Sequence, residues 1–294
     1  MQPPTTTERP SATRRLALLV SGVLIVVAVA AVSTGLLSRA KRETTGPRET
    51  RSYEDQVRQS LFALLQPVKL TNCTMERFGE PHDGGYLVCA NLLGSVGAGY
   101  SYGISGYDQW GCDASRKLNV PLHEYDCFDL RAPLCPGGDL RFHAECVGTE
   151  RAAIDGRPFD TFASQIARNG DEGKRLLVKV DVEGAEWNSF LLTPDSVFER
   201  IDQLVVEFHG VHDDRFVATV QRLLRFFHVA HLHFNNYSCD PRLAPFPAGA
   251  YEVLFVNKQV GVVDGSPGKR GPHPADAPNK PDGPDCQVAE GVPG

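Results

Sequence analysis

Residues 177–187 read LVKVDVEGAEW, and this stretch decides the fold. Its first residues are mostly apolar, as in a strand that is buried on both faces of a sheet. Asp181 and Glu183 end that strand, and Gly184 then turns the chain into a segment with helical spacing. A buried strand that delivers acids to its end and leads into a helix is typical of α/β proteins, whose ligands bind at the carboxyl ends of the strands.

The same alternation of short apolar runs and helical stretches continues through residues 53–263, which we interpret as the folded domain. It predicts an α/β fold with a mostly parallel sheet and helices on both faces. The predicted strands are 99–103, 122–126, 141–147, 176–182, 203–208, 229–234 and 251–257, and the predicted helices are 53–65, 160–168, 184–192 and 215–226.

Charge is distributed unevenly along the 294 residues, whose formal net charge is −6. Residues 1–52 carry eight Lys or Arg and three Asp or Glu, whereas the remainder carries 22 and 33, a net charge of −11. An acidic body repels phosphate backbones, so the composition disfavours a nucleic-acid partner.

Residues 16–37 form an uncharged stretch of 22 residues, long enough to cross a bilayer as a helix. We predict a transmembrane anchor here, preceded by a cytosolic N-terminus at 1–15 and followed by a charged stem at 38–52. A cleaved signal peptide is the alternative, since Ala28-Val29-Ala30 has the small residues of a cleavage site. Basic residues are equal in number on the two sides, so they do not set the orientation.

All eight cysteines follow this segment, and none forms a C-x-x-C pair. An even number without zinc-ribbon spacing favours disulfides in an oxidising compartment. Two glycosylation triplets, beginning at Asn72 and Asn236, fit the same compartment. We therefore predict a single-pass membrane protein whose domain is lumenal, in the endoplasmic reticulum or Golgi, or extracellular.

The tail at 264–294 contains 13 Pro or Gly among 31 residues and few large apolar side chains. Such a segment buries too little surface to offset its chain entropy, so we predict that it is disordered.

Two strand ends carry candidate binding residues. The first predicted strand runs into Gly103-Ile104-Ser105-Gly106, where glycine allows a tight turn and close approach to a ligand. An ordinary glycine turn is the alternative interpretation. Asp126 ends the next strand, where a carboxylate is able to accept both hydroxyls of a ribose, with Asp129 as the alternative residue.

Two further strand ends carry candidate catalytic residues. Asp181 and Glu183 could hold a metal ion, accept a proton or orient a cationic cofactor. His209 ends the following strand and could act as a general base, because histidine titrates near neutral pH.

The motif KVDVEGAEW, followed about twenty residues later by VVEFHG, resembles the FkbM-type S-adenosylmethionine-dependent methyltransferases. RFGEPHDGGYLVC and YSYGISGYD are similar to a membrane-anchored branch of that family. The resemblance covers residues 77–257. It implies a class I methyltransferase (Rossmann-like) fold, with seven mostly parallel strands and one antiparallel edge strand.

Carried over by position, the resemblance places Gly103 and Gly106, with Ser105 between them, at the methionine part of S-adenosylmethionine. It assigns Asp126 to the ribose. It also places Asp181 and Glu183 where cofactor and acceptor meet. Ile104 and Ser105 depart from a more glycine-rich family pattern.

The resulting hypothesis is methyl transfer to oxygen of a small-molecule or glycan acceptor, with Asp181 or His209 removing the acceptor proton and no metal required. One alternative is a lumenal glycosyltransferase in which Asp181 and Glu183 hold Mn²⁺ and a sugar diphosphate. Another is an inactive methyltransferase fold that serves as an interaction module, which the departure in the glycine loop motivates.

Overall fold

The computed structural model of the chain describes residues 52–268 and 273–287. Three single-turn 3-10 helices lie at Ala90–Leu92, Asn236–Ser238 and Pro241–Leu243. The other elements, in chain order within each class, are α1 (Tyr53–Leu64), α2 (Gln109–Leu118), α3 (Phe162–Arg168), α4 (Glu186–Leu192), α5 (Asp195–Phe198), α6 (Asp214–Leu223), β1 (Val68–Leu70), β2 (Met75–Gly79), β3 (Gly85–Cys89), β4 (Val96–Tyr102), β5 (Pro121–Tyr125), β6 (Asp139–His143), β7 (Cys146–Val147), β8 (Ala152–Ile154), β9 (Arg157–Asp160), β10 (Arg175–Val180), β11 (Ile201–His209), β12 (Phe227–Phe234), β13 (Ala250–Asn257) and β14 (Val263–Pro267).

A seven-stranded sheet organises the domain, in the order β12-β13-β11-β10-β4-β5-β6. All neighbouring strands are parallel except that β13 runs antiparallel to both β11 and β12. The predicted α/β fold with a mostly parallel sheet is therefore confirmed. The expectation that the antiparallel strand lies at the edge of the sheet is wrong, because β13 inserts between β11 and β12 and leaves β12 at the edge.

Alternate residues of the central strands pack into two different apolar clusters, one on each face of the sheet. Val178 and Val206 belong to the cluster that includes Leu61 of α1, Phe162 of α3, Trp187 of α4 and Val220 of α6. Leu177 and Val205 belong to the other cluster, with Trp110 of α2 and the hairpin residues Phe78 and Tyr86. Because both faces are covered, the central strands are apolar almost throughout.

Several boundaries differ from the sequence-based expectations. The strand predicted at 141–147 is divided into β6 and β7, because β7 leaves the main sheet and pairs with β9 in a separate three-stranded sheet. Helix α2 and the β2–β3 hairpin were not predicted. The hairpin packs against the same face as α2 and places Tyr86 beneath the strand ends.

The prediction of a disordered tail is wrong for the parts described, 264–268 and 273–287. Strand β14 pairs with β1, and a disulfide joins Cys286 to Cys239. Asn279 is 1% exposed, and its amide donates to Glu252 and Asp83. Polar contacts and a covalent link hold the tail, and composition-based reasoning does not weigh either.

Four disulfides link all eight cysteines, and no described cysteine is free. They indicate an oxidising compartment, secreted or lumenal. The predicted cytosolic segment and anchor lie outside the described residues, as does the stem except for Ser52, which caps α1. Among the described helices, none combines the length and apolar character needed to cross a bilayer. The disulfide pairs are Cys73–Cys89, Cys112–Cys135, Cys127–Cys146 and Cys239–Cys286.

Candidate functional site

Two adjoining clefts open at the carboxyl ends of β4 and β10. Their volumes are about 240 and 210 Å³, and Gly103, Ser105 and Asp181 line both. The chain proceeds from β4 toward one edge of the sheet and from β10 toward the other, so the clefts lie where the strand order reverses. This switch point is where open α/β sheets bind their ligands. Asp126 lines the smaller cleft, so three of the predicted strand ends converge on one site.

The glycine turn adopts the left-handed backbone that its sequence predicts, with φ of +74° at both Gly103 and Gly106 and +48° at Ser105. A Cβ at Gly103 would lie 1.6 Å from the carbonyl oxygen of Asp181, and one at Gly106 would lie 2.8 Å from the Asp129 carboxylate. Gly103 is therefore required by a neighbouring backbone atom, and Gly106 is favoured by its positive φ. The turn is fixed by the fold before any ligand enters.

Asp126 has a different position in the site from the one its sequence indicated. It is buried, and its Oδ2 accepts hydrogen bonds from the amides of Ile104 and Ser105 at 3.1 and 2.8 Å. Its Oδ1 accepts from the amides of Phe128 and Asp129 at 2.8 and 3.1 Å. Four bonds fill the acceptor capacity of a carboxylate. Asp126 thus ties the glycine turn to the end of β5, and it has no free lone pair for a ribose hydroxyl.

Lys179 is the cationic side chain beneath the turn. It is 5% exposed, its Nζ donates to the Gly103 carbonyl at 3.0 Å, and it lies 3.7 Å from Asp181 Oδ2. On the same side, Glu124 is fully buried, and burial together with the charge of Asp108 raises its pKa to about 8. Sequence reasoning did not select Lys179, although a lysine within an apolar strand run is a usable signal.

Two neighbouring carboxylates lie at the ends of β10 and β11, the half-buried Asp181 and the buried Glu207. Tyr86 Oη is 3.1 Å from both Asp181 Oδ2 and Glu207 Oε2, and Asn235 donates to Glu207 Oε1 at 2.8 Å. Since a phenol has one proton, Tyr86 satisfies only one of the two carboxylates at a time. Burial, and then the charges of Asp181 and Glu252, raise the pKa of Glu207 to about 8.

His209 faces these carboxylates without a short contact to any of them. Its Nε2 is 3.9 Å from both Asp181 Oδ1 and Glu207 Oε1 and 3.4 Å from Glu183 Oε2. Its Nδ1 is 3.5 Å from Glu186 Oε1, which is long for a hydrogen bond. Burial lowers the pKa of His209, but the neighbouring acids, Glu186 foremost, outweigh it and raise that pKa to about 9. A pKa raised in this direction makes His209 a weaker candidate for the predicted role of general base at neutral pH.

Glu186 holds the start of α4 against the end of β11. It is fully buried, and its two oxygens accept from the amides of Gly184 and His209 at 2.8 and 2.9 Å. Trp187 donates to the His209 carbonyl at 2.8 Å and stacks on Phe208. These contacts fix the direction of His209. Glu183, by contrast, projects outward, with its side chain 85% exposed.

The predicted site residues thus line one cleft in the structure: Gly103, Ser105, Asp126 and Asp181, with Glu183 at its rim. His209 lies next to Asp181. Sequence reasoning missed Tyr86 and did not select Glu207. Glu207 could have been selected from the sequence, because residues two apart on a strand share a face and His209 was already a candidate. Tyr86 comes from the hairpin, and no local pattern connects it to the sheet.

The scan against protein-family models found no match for the chain, and the searches of curated proteins and of solved structures found none either.

Proposed function

We propose that the protein transfers a methyl group from S-adenosylmethionine to a hydroxyl oxygen of an acceptor. One observation carries the proposal: Gly103 and Asp181, two of the residues that the family resemblance assigns to one cofactor, line a single cleft at the switch point of the sheet. Asp126 lines the same cleft and holds the glycine turn in place. The number of strands and the single antiparallel strand also support the proposal, although that strand lies inside the sheet and not at the edge that the resemblance implies.

The charge of the clefts fits a cationic cofactor. Lys179 is the one cationic side chain among their described lining residues, and its ammonium already bonds to Gly103. The acids Glu80, Asp83 and Asp181 line the larger cleft. A sulfonium and an ammonium group are favoured in such surroundings, whereas a sugar diphosphate would need a bound cation to offset the repulsion. This difference favours methyl transfer over the glycosyltransferase alternative.

When bound, S-adenosylmethionine supplies an electrophilic methyl group, and the chain's residues have to align the acceptor and take its proton. Asp181 is our candidate for that proton, because it lines both clefts and its Oδ1 has no short hydrogen bond in the described structure. Tyr86 and Lys179 hold its other oxygen in place. Asp126 and Lys179 keep the glycine turn rigid, so that the cofactor side of the site is preformed.

The test is isothermal titration of the full-length chain, disulfides intact, with S-adenosylmethionine and with S-adenosylhomocysteine. We expect one site per chain, and we expect Asp181→Asn to abolish transfer from methyl-labelled cofactor to a glycan, lipid and protein extract. Asp139→Asn is the matched control. Asp139 forms an ion pair with Arg141 and begins β6, so it lies at the end of the strands away from the clefts.

Two results would overturn the proposal. If neither compound binds, the fold serves as an interaction module, an outcome consistent with the fully bonded Asp126. If a nucleotide sugar with Mn²⁺ stabilises the protein and S-adenosylmethionine does not, the glycosyltransferase alternative is correct.

A further inference from the structure

We infer that Asp181, Glu207 and His209 form a binding site for a divalent transition-metal cation. The three residues come from the adjacent ends of β10 and β11, and one ligand atom from each lies within 4.8 Å of the others. Asp181 also belongs to the pair that the glycosyltransferase alternative would use, whereas Glu207 and His209 do not.

The spacing of the three atoms fits an ion better than it fits hydrogen bonds. Nε2 of His209 is 3.9 Å from Asp181 Oδ1 and 3.9 Å from Glu207 Oε1, which is too long for either bond. Metal–ligand bonds of about 2.1 Å hold neighbouring ligand atoms about 3.0–3.5 Å apart. The two distances from His209 Nε2 would therefore shorten by about 0.4–0.9 Å around a bound ion. The third pair of ligand atoms lies within 4.8 Å and would approach as well.

The atoms that face away from this centre are held by buried groups. Tyr86 donates to Oδ2 of Asp181 or Oε2 of Glu207, the oxygens on the far side of each carboxylate. Asn235 donates to Oε1 of Glu207, the oxygen nearer His209, and leaves that oxygen one lone pair for a cation. Nδ1 of His209 is buried without a hydrogen bond, and the fully buried Glu186 lies 3.5 Å from it. Carboxylates and buried polar groups that orient the far side of each ligand are the usual surroundings of metal sites. A solvated acidic patch would not have them.

The ligand set indicates which cations suit the site. Two carboxylates and an imidazole match Mn²⁺ or Zn²⁺, because Mg²⁺ and Ca²⁺ prefer oxygen ligands alone. Glu183 Oε2, 3.4 Å from His209 Nε2 on an exposed side chain, is positioned to supply a fourth ligand. Further positions would remain for water or for an acceptor oxygen.

The role of the cation rests on the proposed function. Asp181 lines both clefts, so a cation bound to it would lie at their edge. A hydroxyl bound to that cation loses its proton more readily, and Asp181 would then act as a ligand instead of a base. Water would carry the proton away as the oxygen–methyl bond forms and the sulfur–methyl bond breaks.

The experiment uses the full-length chain, stripped with a chelator and titrated with MnCl₂ alone. Free Mn²⁺ is followed by its electron paramagnetic resonance signal, and Zn²⁺, Mg²⁺ and Ca²⁺ are added as competitors. We expect one site per chain, displaced by Zn²⁺ at much lower concentration than by Mg²⁺ or Ca²⁺. Glu207→Gln and His209→Gln should each weaken binding at least tenfold, and Asp139→Asn should leave it unchanged.

A spectroscopic signature separates this site from a nonspecific acidic cluster. Bound Mn²⁺ should show nitrogen coupling from His209, and His209→Gln should remove it while circular dichroism shows the variant folded. No saturable site, an absent nitrogen coupling, or equal affinity in wild type and folded His209→Gln would overturn the inference. Because these measurements use the metal alone, their failure leaves the cofactor titration as a separate test of methyl transfer.

Discussion

Raising the pH should weaken the protein through His233, which joins the sheet to the tail. This side chain on β12 is 5% exposed, and its Nδ1 and Nε2 lie 3.2 Å from Glu252 and 3.3 Å from Asp285. Burial lowers the pKa of His233, but Glu252, Asp276 and Asp285 together raise it from 6.5 to about 9.

The sign and the size of the effect follow from that shift. The folded state binds the proton more tightly than the unfolded chain, so the stabilisation is complete below pH 6.5 and is lost as the pH rises through about 9. Each pKa unit corresponds to about 1.4 kcal/mol, so His233 should contribute about 3 kcal/mol at pH 6 and almost nothing at pH 10.

Guanidinium unfolding of the full-length chain between pH 6 and pH 10 tests this, with wild type compared against His233→Gln at each pH. The difference in unfolding free energy should shrink by about 3 kcal/mol over that range. His228→Gln is the control on the same strand, because burial lowers the pKa of His228 and its removal cannot reproduce the loss. A wild-type minus His233→Gln difference that does not change with pH would refute the reasoning.

Three further predictions concern the turn, the tail and the site. Gly103→Ala should lower the unfolding free energy by more than about 2 kcal/mol or prevent folding, since its Cβ would meet a carbonyl oxygen at 1.6 Å. The control is Gly137→Ala, at φ +83° with open space around it, which should lower the unfolding free energy by about 1 kcal/mol. Denaturant unfolding measures both values. Replacing Cys239 and Cys286 by serine removes a disulfide that joins residues 47 apart and should lower the unfolding free energy by about 4 kcal/mol. The tail should then become sensitive to limited proteolysis, and an unchanged digestion pattern would contradict this. Tyr86→Phe should lower the unfolding free energy by about 1–3 kcal/mol, because the buried Glu207 and the half-buried Asp181 lose their shared donor. An unaffected variant would show that water replaces the tyrosine hydroxyl.

The main sheet could be predicted because its strands are short apolar runs bounded by turns, and such runs are too short to be typical of helices. Helix α2 was not predicted, because its packing against the sheet requires a residue that is unfavourable in helices. Its Gly111 is required since a Cβ there would lie 2.4 Å from Leu122 of β5 and from Asp108. Close packing against the sheet thus demands a residue that weakens the helical signal.

The tail could not be predicted from composition, because its order comes from individual polar partners. His231 bonds to Asp276 at 2.9 Å, and the amide of Asn236 donates to carbonyls of the tail. Asn236 is also the asparagine of one predicted glycosylation triplet, and Asn72 of the other donates to the Val260 carbonyl. Both side chains are thus engaged within the fold, and a glycan at either position would replace these bonds.

The strand-end acids could be located from the sequence, but what each one does could not. Asp126 and Asp181 look equivalent there, since each follows a buried strand that leads to the cleft. In the structure four backbone amides donate to Asp126 and fill its acceptor sites, whereas Asp181 shares one tyrosine proton with Glu207. Hydrogen-bond donors that satisfy a carboxylate make it part of the scaffold, and a shortage of donors leaves it with binding capacity. The chemistry of this site is therefore set by the places where its carboxylates lack donors, and those places are Asp181, Glu207 and the space in front of His209.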